Sequence, residues 1–273
     1  MSSPFPDRVA LNATEDDALF HRDGDVYIPT HLTEGPWDPD AQFGGAPAAL
    51  LATLVEQVPS LVPMQMARFV VDLMRPVPLD VLVPQVQIVR EGKRIQVVAA
   101  SLFSGSIEVV RSSALRIRRL DLGNMDLPDG ASLSPLPDSP RTSEQEPFAG
   151  RPEPGSRRAV EYLFEGKGGY YQDPAWVRLR VDVIAGQPTI PVARLAYIAD
   201  LASGIGVERD LPVRGINADL SINVIRYPDD VWIGLAGRGW INRTGVGQVQ
   251  ARLFDTHGLA ASVSMARLVD PAG

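Results

Sequence analysis

The chain has 273 residues, of which 45% are hydrophobic and 22% charged, a composition typical of a globular protein with one large domain or two small ones. Its net charge of −7 argues against nucleic acid as a partner, because phosphate binding needs a basic face. The chain has no cysteine, which excludes a disulfide scaffold, a thiolate nucleophile and a cysteine-based zinc site.

The amino terminus lacks the apolar core of a signal peptide, and no segment approaches about 20 uninterrupted apolar residues. We therefore expect no membrane span and a cytoplasmic location.

The first 57 residues predict two helices and one strand. Residues 15–20 suggest a short helix, and residues 26–29 suggest a strand after a turn. Residues 44–57 then form the best helix candidate of the first half, since Pro47 suits a first helical turn. This helix is apolar nearly all round, which is typical of a buried helix.

A β-rich region follows, and turn residues divide it into four short apolar runs. The predicted strands are Phe69–Met74, Leu82–Arg90, Arg94–Phe103 and Glu108–Ile117. The sequence thus predicts a buried helix followed by a four-stranded antiparallel meander. Residues 121–157 are rich in Pro, Ser, Asp and Gly, and we expect a linker there.

The second half repeats this order. Residues 159–184 contain strand-like runs, and Pro191–Gly204 is a second mostly apolar helix. Four predicted strands follow: Asp219–Ile225, Val231–Asn242, Gly247–Phe254 and Ala260–Leu268.

An internal sequence repeat relates the two halves at one constant offset. Arg75 recurs as Arg226, an offset of 226 − 75 = 151. The same offset aligns Leu102 with Leu253 and Ser113 with Ser264. We interpret the chain as a duplication of one structural unit. Each copy has a helix wrapped by an antiparallel sheet. This predicts an α+β double hotdog, with two sheets joined into one and two central helices side by side. We expect an N-terminal hotdog in residues 1–120, a linker in 121–157 and a C-terminal hotdog in 158–273.

Several segments, in the right order, resemble the acyl-CoA thioesterase II-like proteins, which are double hotdogs. These segments are residues 42–45 at the start of the first helix, Arg75-Pro76 in the strand that follows, residues 196–200 and residues 216–221. The resemblance implies hydrolysis of acyl-CoA to a fatty acid and CoA by an Asp-activated water, without a cofactor.

Three family positions that hold the water can be compared with this chain. Asp200 matches the family's Asp, and Asn217 stands where the family has Thr, Ser or Asn. The family's Gln falls on Met265, which cannot donate an amide hydrogen bond.

Asp200 is the strongest catalytic candidate from the residues themselves. It lies in an apolar helix, and a desolvated carboxylate can act as a base toward water. Its register partner is Ala49 (200 − 151), so only one composite site is expected. Alternatively, Asp200 faces solvent or caps the turn at Ser203. Asn217 would fix the water, or it is simply a polar residue at a strand entrance.

Gly44 and Gly45 open the first buried helix, where an unpaired N–H could bind the developing oxyanion. We assign that role to Gly45 and expect Gly44 to contact substrate; the alternative is a tight turn without a ligand. The acyl chain is expected between the central helices. Its predicted contacts are Leu50, Leu54, Tyr197, Leu201 and Met265, with core packing as the other interpretation of Tyr197.

Two competing functions remain. Met265 favours a non-catalytic protein that binds acyl groups or acyl-CoA, and a structural or assembly role is the third possibility. We expect a homo-oligomer, since hotdog sheets associate readily. The three histidines, His21, His31 and His257, form no metal-ligand spacing, so no metal is expected.

Overall fold

The computed structural model describes residues 17–125, 154–164, 174–205 and 213–271. Most of the predicted linker lies outside the described residues, as do residues 15 and 16 of the first predicted helix. The elements of the first half are β1 (Ala18–Asp23), β2 (Val26–Pro29), α1 (Gly45–Glu56), β3 (Met64–Leu73), β4 (Val83–Arg90), β5 (Ile95–Ser104) and β6 (Ile107–Arg118).

The second half contains three further helices and eight strands among the described residues. They are α2 (Gly155–Arg158), β7 (Val160–Phe164), β8 (Ala175–Leu179), β9 (Asp182–Ile184), α3 (Pro191–Asp200), α4 (Ala202–Ile205), β10 (Val213–Asn217), β11 (Asp219–Val224), β12 (Trp232–Ile241), β13 (Val246–Asp255) and β14 (Gly258–Pro271).

One large sheet joins the two halves. Ten strands follow the order β4-β5-β6-β3-β11-β14-β13-β12-β8-β7, and β10 pairs with β14 beside them. The halves meet where β3 pairs antiparallel with β11. This confirms the predicted double hotdog with one continuous sheet.

The strand register reproduces the offset of 151. Val70 pairs with Ser221, its own register mate, at the centre of the β3–β11 junction. Val70 also pairs with Ser113 in β6, and Ser221 pairs with Ser264 in β14, which is 113 + 151. The sequence repeat therefore reflects a pseudo-twofold relation between the two halves.

The two long helices, α1 and α3, pack against each other on one face of the sheet. All residues of α1 from Gly45 to Val55 are buried, which explains why this helix is apolar on every side. α3 begins with Pro191 in its first turn and ends at Asp200. The helix predicted over Pro191–Gly204 is interrupted at Leu201, after which the short α4 begins.

One predicted helix is wrong. Residues 18–23 form strand β1, which pairs with β2 and, in parallel, with β9 in a small separate sheet. Ala18, Leu19 and Phe20 are all fully buried. A short run of consecutive apolar residues does not distinguish a buried strand from a buried helix, and here the tertiary pairing decides.

Candidate active site

A cavity of about 550 Å³ opens where the two halves meet. Its walls come from the loop before α1, from the end of β3 and the loop after it, and from the second half of the chain. The residues are Gly35, Trp37, Asp38, Ala41, Gln42, Phe43, Gly44, Leu73, Met74, Arg75, Pro76, Val77, Asp200, Ser203, Ile216, Asn217, Ala218 and Leu268. Both halves are thus needed to build it.

Asp200 is the last residue of α3, and only 2% of it is exposed. The C-terminus of α3 here approaches the N-terminus of α1. The first amides of a helix carry partial positive charge, so this is a favourable place for a carboxylate.

Two glycines allow this close approach. A Cβ on Gly45 would lie 2.4 Å from Cε1 of Phe43 and 2.6 Å from the backbone oxygen of Tyr197. A Cβ on Gly44 would lie 3.0 Å from Oδ2 of Asp200. Any side chain at these positions would push the start of α1 away from the end of α3.

Asn217 holds the carboxylate from the opposite side. Its Nδ2 donates a hydrogen bond of 2.5 Å to Oδ1 of Asp200. This bond fixes the orientation of the amide, so the other end of the group is an acceptor. That acceptor, Oδ1, is buried and has no hydrogen-bond partner among the described residues.

Burial raises the pKa of the Asp200 carboxyl to about 6, while hydrogen bonds from the Asn217 side chain and the Gly45 backbone N–H act in the opposite direction. A carboxylate with this pKa is mostly ionised at neutral pH and still basic enough to accept a proton. Together with the free Oδ1 of Asn217, it forms a pair of acceptors that can orient and deprotonate a water molecule.

The structure brings Asp200, Asn217 and Gly44 together at the cavity, with Gly45 directly behind them. The role of Gly45 as oxyanion donor stays a prediction. Its backbone N–H also lies close enough to Asp200 to lower the pKa of that carboxyl, because the end of α3 lies against the start of α1.

The five apolar or aromatic residues expected around the acyl chain do not line this cavity. Leu50, Leu54, Tyr197, Leu201 and Met265 are all buried in the main hydrophobic core. Leu50 on α1 and Tyr197 on α3 are both fully buried. The Tyr197 hydroxyl donates to the backbone oxygen of Ser156, which agrees with the packing interpretation of this residue.

Sequence reasoning missed several lining residues. Gln42 and Phe43 directly precede the two glycines and could have been found from that position. The sequence indicates Arg75 through its repeat and through the family resemblance, but it assigns this arginine no role at the site. Trp37 and Leu73 carried no recognisable signal, since a single apolar residue in a loop or strand looks the same with or without a ligand.

One group of acidic and histidine side chains lies outside the cavity, formed by Asp229, Asp255 and His257. The Asp255 carboxylate already accepts hydrogen bonds from Arg226 and from the backbone N–H groups of Asp229 and His257. These bonds account for its position. No helix in the described parts of the chain is long and apolar enough to cross a membrane.

Comparison with known families gives matches over both halves. Residues 33–117 match the acyl-CoA thioesterase N-terminal domain, and residues 132–265 match the acyl-CoA thioesterase C-terminal domain. The chain belongs to the acyl-CoA thioesterase family. The two matches follow each other in the order that the duplicated fold requires.

Solved structures with the same fold include two described as thioesterases and a protein of unknown function. One, described as a putative thioesterase from Novosphingobium aromaticivorans, has a TM-score of 0.69 at 20% identity, with 92% of this chain and 98% of that chain covered. An acyl-CoA thioesterase II from Mycobacterium marinum has a TM-score of 0.65 at 16% identity, with 90% and 93% covered.

A hot dog fold protein of unknown function from Alicyclobacillus acidocaldarius has a TM-score of 0.68 at 14% identity, with 93% and 97% covered. At these identities the similarity establishes the double-hotdog fold of the family and leaves the chemistry to the residues of this chain. The search of curated proteins found no match.

Proposed function

We propose that this member of the acyl-CoA thioesterase family hydrolyses acyl-CoA to a free fatty acid and CoA, with Asp200 as the general base. One observation carries the proposal: a buried carboxylate with a raised pKa, hydrogen-bonded to an amide whose other end has no hydrogen-bond partner among the described residues, at a cavity between the two halves. A buried amide oxygen of this kind is commonly satisfied by a bound water.

In the proposed mechanism, a water molecule donates hydrogen bonds to a carboxylate oxygen of Asp200 and to Oδ1 of Asn217. Asp200 takes one proton as the water oxygen attacks the thioester carbonyl. The tetrahedral intermediate then collapses, the carbon–sulfur bond breaks, and the thiolate of CoA receives the proton that Asp200 took, which restores the carboxylate. Asn217 uses both ends of its amide, so it orients the base and the nucleophile at once.

We propose Gly44 as a further oxyanion donor beside Gly45. It lines the cavity at the start of α1, and its N–H is hydrogen-bonded to no described residue. The N-terminal end of a helix favours a developing negative charge.

Met265 on β14 provides no third ligand for the water. Its side chain is 1% exposed, packs in the core and does not line the cavity. We propose that Asp200 and Asn217 hold the water without the family's Gln. The same substitution keeps the second candidate open, a non-catalytic protein that binds acyl-CoA.

The test is a hydrolysis assay with acyl-CoAs from short to long chains. Asp200→Asn keeps the shape of the side chain and removes the base, so kcat should fall by about 100-fold to 10,000-fold. Asp72→Asn is a matched control, because Asp72 is exposed on β3 and does not line the cavity. Its activity should equal that of the wild type.

Two outcomes would contradict the proposal. Equal hydrolysis by wild type and Asp200→Asn would place the base elsewhere. Inactivity of both proteins with unchanged acyl-CoA binding would establish the non-catalytic binding protein. The cytoplasmic location and the homo-oligomer stay predictions, and light scattering tests the second.

A further inference from the structure

Two arginines occupy equivalent positions in the two halves but have different surroundings. Arg226 follows β11, and its Nη1 donates to Oδ2 of Asp255 at 2.8 Å while its Nη2 donates to the backbone oxygen of Gly258 at 2.7 Å. The Asp255 side chain is fully buried. Arg226 therefore belongs to the structural framework.

Arg75 lacks the corresponding carboxylate. The register mate of Asp255 is Ser104, since 255 − 151 = 104. A serine cannot form an ion pair, and Arg75 makes no hydrogen bond or ion pair with any described residue. Both halves contain the arginine, but only the second half contains the aspartate that pairs with it.

The location of Arg75 indicates what it can bind. It is exposed and lines the cavity that contains Asp200, and it is the only cationic side chain among the lining residues. The lining also includes the exposed Asp38, whose Oδ1 accepts a hydrogen bond from the N–H of Asp40. An exposed guanidinium with five free donors is suited to a phosphate group, which it can bind through two parallel hydrogen bonds.

The lining divides into an exposed rim and a buried floor. Trp37, Arg75 and Leu268 are exposed, whereas Phe43 and Asp200 are buried. If a thioester is hydrolysed at the floor, as proposed above, its charged carrier remains at the rim in contact with water. A phosphate has a large desolvation cost, so the rim is where it would be bound.

We infer that Arg75 binds a phosphate group on the carrier of the thioester substrate. This inference rests on the proposed function for the orientation of the substrate. Two carriers share the chemistry, because free CoA and a protein-bound phosphopantetheine both carry a phosphate at the end of the pantetheine arm. CoA has additional phosphates on its nucleotide.

The test compares three thioesters of one acyl group: acyl-CoA, acyl-phosphopantetheine and the phosphate-free acyl-pantetheine. Arg75→Gln should lower kcat/KM for acyl-CoA by about 10-fold through KM, and leave acyl-pantetheine unchanged. Arg90→Gln is the matched control, because Arg90 is an exposed arginine on β4 that does not line the cavity. It should leave all three substrates unchanged.

Comparison of the three substrates identifies which phosphate Arg75 contacts. An equal loss with acyl-CoA and acyl-phosphopantetheine assigns the contact to the phosphate that both carriers share, and a loss confined to acyl-CoA assigns it to the nucleotide. Either result supports the inference. An unchanged KM for acyl-CoA in Arg75→Gln, or an equal loss with acyl-pantetheine, would overturn it.

A binding measurement separates this inference from the proposed function. If the wild type hydrolyses none of the three thioesters, calorimetry with free CoA still tests Arg75. Weaker CoA binding by Arg75→Gln than by Arg90→Gln supports the phosphate contact in a non-catalytic protein. Equal dissociation constants for wild type and both variants would contradict it.

Discussion

At the scale of single residues, the site depends on a carboxylate that is costly to bury. Asp200 has two partners in the described structure, the Asn217 amide and the Gly45 backbone N–H, and they offset only part of the desolvation. The protein therefore loses stability at the position of the proposed base. Strongly shifted pKa values of this kind are common at functional sites.

This cost predicts a pH-dependent effect of Asp200→Asn on stability. The folded pKa of Asp200, about 6, lies above the ordinary value of 3.8, so the folded state holds the proton more tightly between these pH values. Wild-type stability should fall as the pH rises from about 4 to about 6, by up to about 3 kcal/mol at about 1.36 kcal/mol per pKa unit. Asparagine has no proton to lose and avoids this loss.

Urea unfolding of both proteins at pH 4 and pH 7.5 measures the effect. The free energy of unfolding of Asp200→Asn, relative to wild type, should be higher at pH 7.5 than at pH 4. Asp72→Asn serves as the control, because its carboxylate is exposed. An equal difference in unfolding free energy between Asp200→Asn and wild type at the two pH values would show that burial does not raise the pKa of Asp200.

At the scale of elements, Arg226 joins the segment after β11 to the turn between β13 and β14. Burial raises the pKa of Asp255. Hydrogen bonds from Arg226 and two backbone amides together outweigh this effect and bring the pKa down to about 2. The carboxylate is thus ionised in the folded protein over the working pH range. The stability it contributes is present above about pH 4 and is lost as the pH falls toward 2.

The two repeated arginines should respond differently to the same substitution. Arg226→Gln leaves the buried Asp255 without its cation, which should lower the free energy of unfolding by about 3 kcal/mol. Arg75→Gln removes no contact with a described residue, so the change should stay within about 0.5 kcal/mol. Urea unfolding at pH 7 compares them. Equal losses would mean that Arg75 is framework after all.

The sequence predicted elements well where turns bound them. The strands of both meanders were found because hairpin residues such as Gly92 and Gly105 separate the apolar runs. Strand β1 was missed because Ala18, Leu19 and Phe20 form too short a run to show a period. The break at Leu201 was also missed, since an apolar residue gives no sign that a helix is interrupted.

At the scale of the whole molecule, duplication created two equivalent locations, and only one contains the proposed catalytic residues. The register mates of Asp200 and Asn217 are Ala49 and Met66 (200 − 151 and 217 − 151), and both are fully buried in the core. Leu195 occupies the position equivalent to Gly44 and is also fully buried. The second location is therefore filled with apolar side chains.

The sequence alone predicted this difference between the halves, because the offset of 151 places Ala49 opposite Asp200. It did not predict the cavity. The burial of Leu50 and the lack of a partner for Arg75 among the described residues depend on the packing of distant parts of the chain, which a repeat does not reveal. The role of Gly45 likewise depends on the end of α3 reaching the start of α1.

The most direct test of the single composite site is a crystal structure with a non-hydrolysable thioether analogue of acyl-CoA. We predict that the analogue's carbonyl lies at the floor of the cavity beside Gly44, with a water held by Asp200 and Asn217 in position to attack it. A carbonyl bound elsewhere, at the location around Ala49 and Met66 or outside the junction of the two halves, would contradict the account.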